Sequence, residues 1–296
     1  MQFSHKIRIA LRYFLRKISR KRTSVFSPSQ SPPSPPTNPP NPNLKTSFRN
    51  SSTSSSLLSL DLDKYASDKE ILLNDHQIKS KIESKKYSAL SLNIRSLMRN
   101  IDQLKSILNT VQPDFVLLSE IFRPHIGFVA TKSFHKIEMK VRANRSGGGV
   151  GIFISSKYKY VMLTKLNNLR LKGIEIIAAK VFLEESELTL ISVYRPPELN
   201  IKDTMGDLDL ILSQIEDEKV LIGGDMNINV LDKNYFREKY LEILLQHNLQ
   251  QKVKAPTRIT ASSCTLIDHV VSNLKNIEYG WGQLIEMQLH QEHTSY

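Results

Sequence analysis

The sequence is short of cysteine and has no long apolar run. Cys264 is the one cysteine in 296 residues, so the chain cannot form an internal disulfide, which fits a reducing compartment. No apolar stretch approaches the roughly 18 residues that a membrane-spanning helix needs. These absences argue against a disulfide-stapled scaffold and against an integral membrane protein, and we expect no membrane partner.

Acidic residues are missing from the first 60 positions, which hold ten lysines and arginines. Residues 61–296 hold 31 basic and 29 acidic residues, so most of the formal net charge of +12 lies in the leader. The overall basicity is therefore no evidence that the folded part of the chain binds nucleic acid.

The composition divides the chain into three parts. Residues 1–25 alternate apolar groups with Arg and Lys, a pattern typical of a basic amphipathic helix. They have three interpretations: a mitochondrial transit peptide, a basic address or nucleic-acid arm, or sequence without a selected role. We expect a nuclear location for a functional protein, with the mitochondrion as the alternative. Residues 26–84 predict a disordered Ser/Pro-rich linker and a short polar helix, and residues 85–296 a folded domain.

The domain has the alternating pattern of an α/β chain. Many strands with helices between them predict two sheets packed face to face, with helices outside. We expect strands at 87–93, 114–119, 149–155, 160–163, 174–181, 188–194, 220–223 and 266–272, and helices around Leu104, Leu208 and Tyr240.

Five segments place polar residues at or beside the ends of apolar strands, where active sites of α/β proteins collect. Glu120 follows the apolar run FVLL, and a carboxylate there must be solvated, paired or metal-bound. Tyr194 and Arg195 can both donate to a phosphate. The remaining candidates are Asn93, Asp225 with Asn227 after two glycines, and Asp268 inside the strand IDHVV.

Each candidate taken singly also has a plain structural explanation. Asn93 suits a turn, Glu120 a solvated strand end, and Gly223–Asn227 a tight turn. His269 alternates to the face opposite Asp268, so we interpret it as a structural histidine rather than a ligand. Gly147–Gly149 lacks the helix and lysine of a phosphate-binding loop and predicts the turn before a strand.

Taken together, the ordered motifs LNIRSL, LLSE, GGGVGIFI, VYRPP, GGDMNIN, APTR and TLIDHVV resemble the endonuclease domain of non-LTR retrotransposons. That domain belongs to the endonuclease/exonuclease/phosphatase superfamily. The resemblance covers about residues 86–293. It implies a four-layered α/β sandwich that cleaves phosphodiesters of DNA with Mg²⁺, or with Mn²⁺ in its place.

The resemblance also implies a role for each matching residue. Glu120 would be the main metal ligand, with Asn93 beside it and Glu292 added near the C-terminus. Tyr194 would donate to the scissile phosphate, while Asp225 and Asn227 would position the attacking water. Asp268 would orient the catalytic residue His293. The substrate-binding residues implied are Arg195, Thr257 and Arg258.

The C-terminal region departs from the family pattern. The family has Ser-Asp-His followed by a last strand, whereas this chain has Gln291-Glu292-His293 and three further residues. Glu for Asp moves a carboxylate by one methylene in a site that tolerates about 0.5 Å. We expect a domain that lacks its last strand, with low or no activity unless a partner supplies that strand.

Two alternatives to a DNA endonuclease stay open at this point. One is another phosphodiesterase or phosphatase of the same superfamily, because substrate choice depends on loops that the motifs do not define. The other is a non-catalytic module with this fold that binds nucleic acid or protein.

Overall fold

The computed structural model describes residues 87–122, 133–142, 147–216, 218–259 and 263–275, and the backbone of 7–11 and 277–281. The expected helix in the basic leader is wrong at Ile7–Leu11, which form a strand, β1, because they pair with a neighbouring strand of the domain. The rest of the leader, the linker and the C-terminal residues Glu292 and His293 lie outside the described ranges. None of the described helices is both long and apolar enough to cross a membrane.

The described elements alternate between strands and helices. Four helices are present: α1 (Ile101–Val111), α2 (Thr164–Asn167), α3 (Ile201–Leu212) and α4 (Tyr235–Gln246). The strands after β1 are β2 (Tyr87–Asn93), β3 (Phe115–Ser119), β4 (Glu138–Lys140), β5 (Val150–Ile154), β6 (Lys159–Met162), β7 (Glu175–Phe182), β8 (Glu187–Tyr194), β9 (Val220–Asp225), β10 (Gln250–Gln251), β11 (Arg258–Ile259), β12 (Cys264–Thr265), β13 (Asp268–Ser272) and β14 (Ile277–Trp281).

Most of these strands form two mixed sheets. The first sheet has the order β14-β1-β2-β3-β5-β4, and the second has the order β10-β13-β9-β8-β7-β6. β11 and β12 form a separate two-stranded pair. The outer edge of β2 pairs in parallel with β1, and β1 pairs in parallel with β14.

Three apolar layers hold the domain together. The layer between the sheets contains Phe115 and Ile152 from the first sheet and Leu190 and Leu221 from the second. Leu104 and Leu108 of α1 pack on the outer face of the first sheet. Residues of α3 and α4 pack on the outer face of the second sheet. The order helix, sheet, sheet, helices confirms the expected four-layered α/β sandwich.

The predicted strands and helices agree with the observed ones within a few residues. Helix α1 has Leu104, Ile107, Leu108 and Val111 buried, as the spacing of its apolar residues predicts. The sequence pattern did not predict β4, α2 or the short strands β10, β11 and β12, because two to four residues are too few to show a period. It also did not predict the five-residue strands β1 and β14.

Two glycines near the end of β9 allow the backbone to pack closely. Gly224 has φ of 153°, and a Cβ there would lie 1.8 Å from the carbonyl oxygen of Val193 on β8. A Cβ on Gly223 would lie 2.8 Å from Leu117 Cδ1 and from Ser91 Oγ, both on the first sheet. The glycines therefore permit β8–β9 pairing and the close approach of the two sheets.

Gly224→Ala should prevent native folding, because the added methyl overlaps a backbone carbonyl that pairing fixes in place. Gly206→Ala is the matched control: Gly206 is exposed in α3, and a Cβ there meets nothing within 4 Å. The control should raise the free energy of unfolding by about 1 kcal/mol, the usual gain for Gly to Ala inside a helix. Urea unfolding followed by circular dichroism measures the stability of both variants. A cooperative transition at the wild-type midpoint for Gly224→Ala would contradict the prediction.

Candidate active site

Four polar residues lie in one transverse row of the second sheet. Glu175 on β7 pairs with Tyr194 on β8, Tyr194 with Asp225 on β9, and Asp225 with Asp268 on β13. Directly paired residues of adjacent strands point to the same face of a sheet. The four side chains therefore lie together at one edge of the space between the sheets.

Asn93 connects this row to the first sheet. Its Nδ2 donates to Glu120 Oε1 at 2.9 Å and to Asp225 Oδ2 at 2.8 Å. Asn93 ends β2 and Glu120 follows β3, and these strands are parallel neighbours, so both residues leave the sheet at the same edge. One amide group thus holds two carboxylates that are 105 residues apart in the sequence.

The backbone takes unusual conformations where these residues sit. Glu120 has φ of 53° and Asn227 has φ of 48°, in the left-handed region that non-glycine residues seldom adopt. Such conformations cluster at functional sites because surrounding contacts must hold them. Here Ser96 N donates to the carbonyl of Glu120, and Asn227 N donates to Asp225 Oδ1 at 2.9 Å.

Tyr194 is a hydrogen-bond donor over the whole neutral pH range. Burial raises its pKa first, and the nearby carboxylates of Glu120 and Asp225 raise it further, while Arg142 opposes them. Only 8% of the residue is exposed. A protonated phenol beside two carboxylates can donate to an anionic oxygen of a ligand.

The donor set fits a hard divalent cation. Among the described residues, no three His, Cys, Asp or Glu side chains gather into a metal-binding group. A cation here would therefore be bound by one or two carboxylates and an amide oxygen, with water as the other ligands. Mg²⁺ is commonly bound in this way, because it loses its water reluctantly.

Asp268 is buried beside Asp225 and is held by Thr257. Thr257 Oγ1 accepts from Asp268 N at 3.1 Å and from Ile267 N at 3.2 Å. Thr257 is itself buried. Its hydroxyl therefore supports the backbone of Asp268, and the substrate contact that the resemblance implies stays a prediction. Arg258, the next residue, is exposed.

Arg195 was expected to contact the substrate, but in this structure protein oxygens receive its donors. Nε donates to Thr204 Oγ1 at 2.8 Å, Nη1 to the carbonyl of Asn227 at 3.4 Å, and Nη2 to the carbonyl of Leu199. Asn227 Nδ2 donates in return to the carbonyl of Arg195 at 2.8 Å. Arg195 is 7% exposed, so it joins β8, α3 and the Asp225–Asn227 turn.

His269 lies on the opposite face of β13, as the alternation of the strand predicts. Nδ1 is 2.8 Å from the hydroxyl of Tyr240, and Nε2 is 3.0 Å from the carbonyl of Ile228. Burial lowers the pKa of His269 to about 4. The ring is neutral at pH 7 and belongs to the core under α4, which confirms its interpretation as a structural histidine.

Two charged residues beside Tyr194 were not predicted as part of the site. Arg142 precedes the Gly147–Gly149 turn, and its Cζ lies 5.8 Å from the centre of the Tyr194 ring. Its Nε donates to Glu175 Oε1. The available signal was Glu175, a carboxylate inside a predicted apolar strand, but nothing in the sequence indicates its partner 33 residues earlier.

These observations define the class of protein. It is a four-layered α/β sandwich with a carboxylate-lined edge between its sheets. The model of the Endonuclease/Exonuclease/phosphatase family matches residues 90–284, and the chain belongs to that family. The matched range contains Asn93, Glu120, Tyr194, Asp225 and Asp268. No curated protein sequence matches the chain.

Solved structures are similar to this chain at low sequence identity. The endonuclease domain of TRAS1, a telomere-specific non-LTR retrotransposon, is 15% identical with a TM-score of 0.52, covering 63% of this chain and 84% of that one. A family protein from Leptotrichia buccalis is 14% identical with a TM-score of 0.48, covering 62% and 86%. A 3′ phosphatase from Neisseria bound to a product DNA hairpin is 15% identical with a TM-score of 0.44, covering 62% and 84%.

The free energy of unfolding should fall as the pH drops from 6.5 towards 4 because of His269. Its native pKa of about 4 is below the ordinary histidine pKa of 6.5, so in this window the unfolded chain binds a proton that the native state does not. The shift corresponds to about 3 kcal/mol at full effect. Urea titrations at pH 7 and pH 4 measure the loss. His269→Asn should remove the part of this stability loss that His269 causes. An equal pH dependence of the free energy of unfolding in the variant would disprove the role of His269.

Proposed function

We propose that this protein is a divalent-metal-dependent phosphodiester hydrolase that nicks DNA, of the non-LTR retrotransposon endonuclease type. The observation that carries the proposal is the Asn93 amide, which holds the carboxylates of Glu120 and Asp225 together beside the Tyr194 hydroxyl. Acidic groups are placed together in this way at sites that bind a cation and the phosphate paired with it.

Glu120 and Asn93 would hold the cation, with Mg²⁺ as the expected ion and Mn²⁺ as its substitute. The bound ion would supply charge neutralisation at a phosphate oxygen. This arrangement also explains how two carboxylates are tolerated on one amide NH₂ group, since a cation offsets their mutual repulsion.

The other residues have roles that follow from their contacts. The Tyr194 hydroxyl, kept protonated by burial and by its acidic neighbours, donates to a phosphate oxygen. Asp225 is oriented from two sides, by Asn93 Nδ2 and by Asn227 N, so its carboxylate is fixed for accepting a proton from an attacking water. Asp268 lies next in the row, and its proposed partner His293 is outside the described residues.

DNA as the substrate is supported by the motif resemblance and by relatives of the same fold. Three motifs resemble the sequences of the retrotransposon branch: VYRPP, GGDMNIN and TLIDHVV. These motifs contain Tyr194, Asp225, Asn227 and Asp268. The TRAS1 domain is an endonuclease. The proposal for this chain depends on the residues of its own site.

Purified protein should convert supercoiled plasmid to the open circular form with Mg²⁺ or Mn²⁺, and EDTA should stop it. Nicking without a partner would show that the site does not need the last strand that the family pattern includes. Glu120→Gln and Asp225→Asn should each lower the nicking rate by about 100-fold or more, the usual cost of removing a group that stabilises transition-state charge. Agarose gels resolve the two plasmid forms over time.

Glu242→Gln is the matched control, because Glu242 is a half-exposed carboxylate of α4 that pairs with Lys239. It should nick at the wild-type rate. Binding of DNA in a gel shift without nicking in either metal would favour the non-catalytic module. Release of phosphate from a phosphomonoester, without nicking, would favour another phosphatase of the superfamily.

A further inference from the structure

Arg142 and Glu175 form an ion pair against Tyr194 that none of the strand-end motifs includes. Glu175 pairs directly with Tyr194 across β7 and β8. Its Oε1 accepts from Arg142 Nε, and its Oε2 accepts from Gly149 N at 2.6 Å. One carboxylate thus fixes both the guanidinium and the end of the glycine turn.

The guanidinium in turn contacts the aromatic ring of Tyr194. Arg142 Cζ is 5.8 Å from the ring centre, within the range of a cation–π interaction. The guanidinium therefore lies over one face of the ring. Its hydroxyl is close enough to Glu120 and Asp225 for both to raise its pKa.

The Gly147–Gly149 turn makes room for this ion pair. Gly148 has φ of 70°, and a Cβ there would lie 2.7 Å from Glu175 Oε1 and 3.0 Å from Arg142 Nε. Any side chain at position 148 would collide with the pair. The triplet therefore does more than begin β5, because its middle glycine leaves the space that the two charged groups fill.

The pair is also largely removed from solvent. The side chains of Arg142 and Glu175 are 21% and 14% exposed. Burial raises the pKa of Glu175, while the Gly149 N–H and Arg142 oppose that rise. Burying a carboxylate costs free energy unless it is paired and hydrogen-bonded, so removing one partner leaves the other destabilised beside the site.

We propose that the Arg142–Glu175 pair, seated on the Gly147–Gly149 turn, is a clamp that positions the Tyr194 hydroxyl towards the phosphate. The inference rests on the proposed phosphodiesterase function. Arg142 and Glu175 are positioning residues: they act through Tyr194 and bind neither the metal nor the attacking water.

A double-mutant cycle tests whether the clamp acts through the Tyr194 hydroxyl. Arg142→Gln should lower kcat for plasmid nicking about tenfold with little change in KM, because the hydroxyl is displaced rather than removed. In the Tyr194→Phe background the same substitution should change kcat less than twofold, since coupled residues are non-additive. Arg142→Lys should recover kcat only in part, because an ammonium lacks the planar face that stacks on the ring. Arg170→Lys, at an exposed arginine, should leave kcat unchanged.

Equal losses from Arg142→Gln in both backgrounds would overturn the clamp, because a general structural defect does not depend on the hydroxyl. Thermal unfolding of each variant separates such a defect from a local change. Gly148→Ala gives a second route to the same result, since it displaces the pair without removing either charge.

Tyrosine ring resonances give a readout that needs no activity. In protein labelled with ¹³C at the tyrosine rings, the Tyr194 signal is identified by its loss in Tyr194→Phe. Arg142→Gln, Glu175→Gln and Gly148→Ala should each move that signal, while the signal of Tyr235, which is 66% exposed, stays in place. An unmoved Tyr194 signal in all three would refute the clamp. A moved signal in a protein that does not nick would keep the clamp and refute the proposed function.

Discussion

The site depends on one amide group placed where the two sheets meet. Asn93 Nδ2 donates to Glu120 beyond the first sheet and to Asp225 at the end of β9 in the second. The contact requires the sheets to approach closely, and Gly223 allows that approach because it leaves space for Ser91 and Leu117. The distance between the carboxylates is thus set by sheet packing, which is among the most rigid features of a protein core.

Two carboxylates at this edge are stabilised by neighbours that donate to them. Asp225 accepts N–H donors on both oxygens, and Glu175 accepts from a guanidinium and from a backbone amide. Arg195 adds electrostatic compensation to Asp225 and braces the loop beyond it through the carbonyl of Asn227. Polar groups buried with such partners rigidify their surroundings, so the geometry exists before any ligand binds.

Much of this fold could be predicted from the sequence, because apolar runs end in polar residues at Asn93, Ser119, Tyr194 and Asp225 and those ends are the observed strand ends. The convergence of the candidates followed from the rule that strand ends collect at one edge. The directions of the side chains could not be predicted. Arg195 and Thr257 face the interior, and no local sequence pattern distinguishes a buried arginine from an exposed one. The Arg142–Glu175 pair joins residues 33 apart through tertiary packing alone. Glu292 and His293 stay predictions.

The row formed by Glu175, Tyr194, Asp225 and Asp268 has a consequence for how the second sheet assembles. A slip of one residue in any of these four strands would turn its polar side chain into the apolar layer beneath α3 and α4. The same slip would bring an apolar side chain to the edge in its place. Each mispaired strand would therefore lower the stability of the sheet, so the residues of the proposed active site also enforce correct strand alignment during folding.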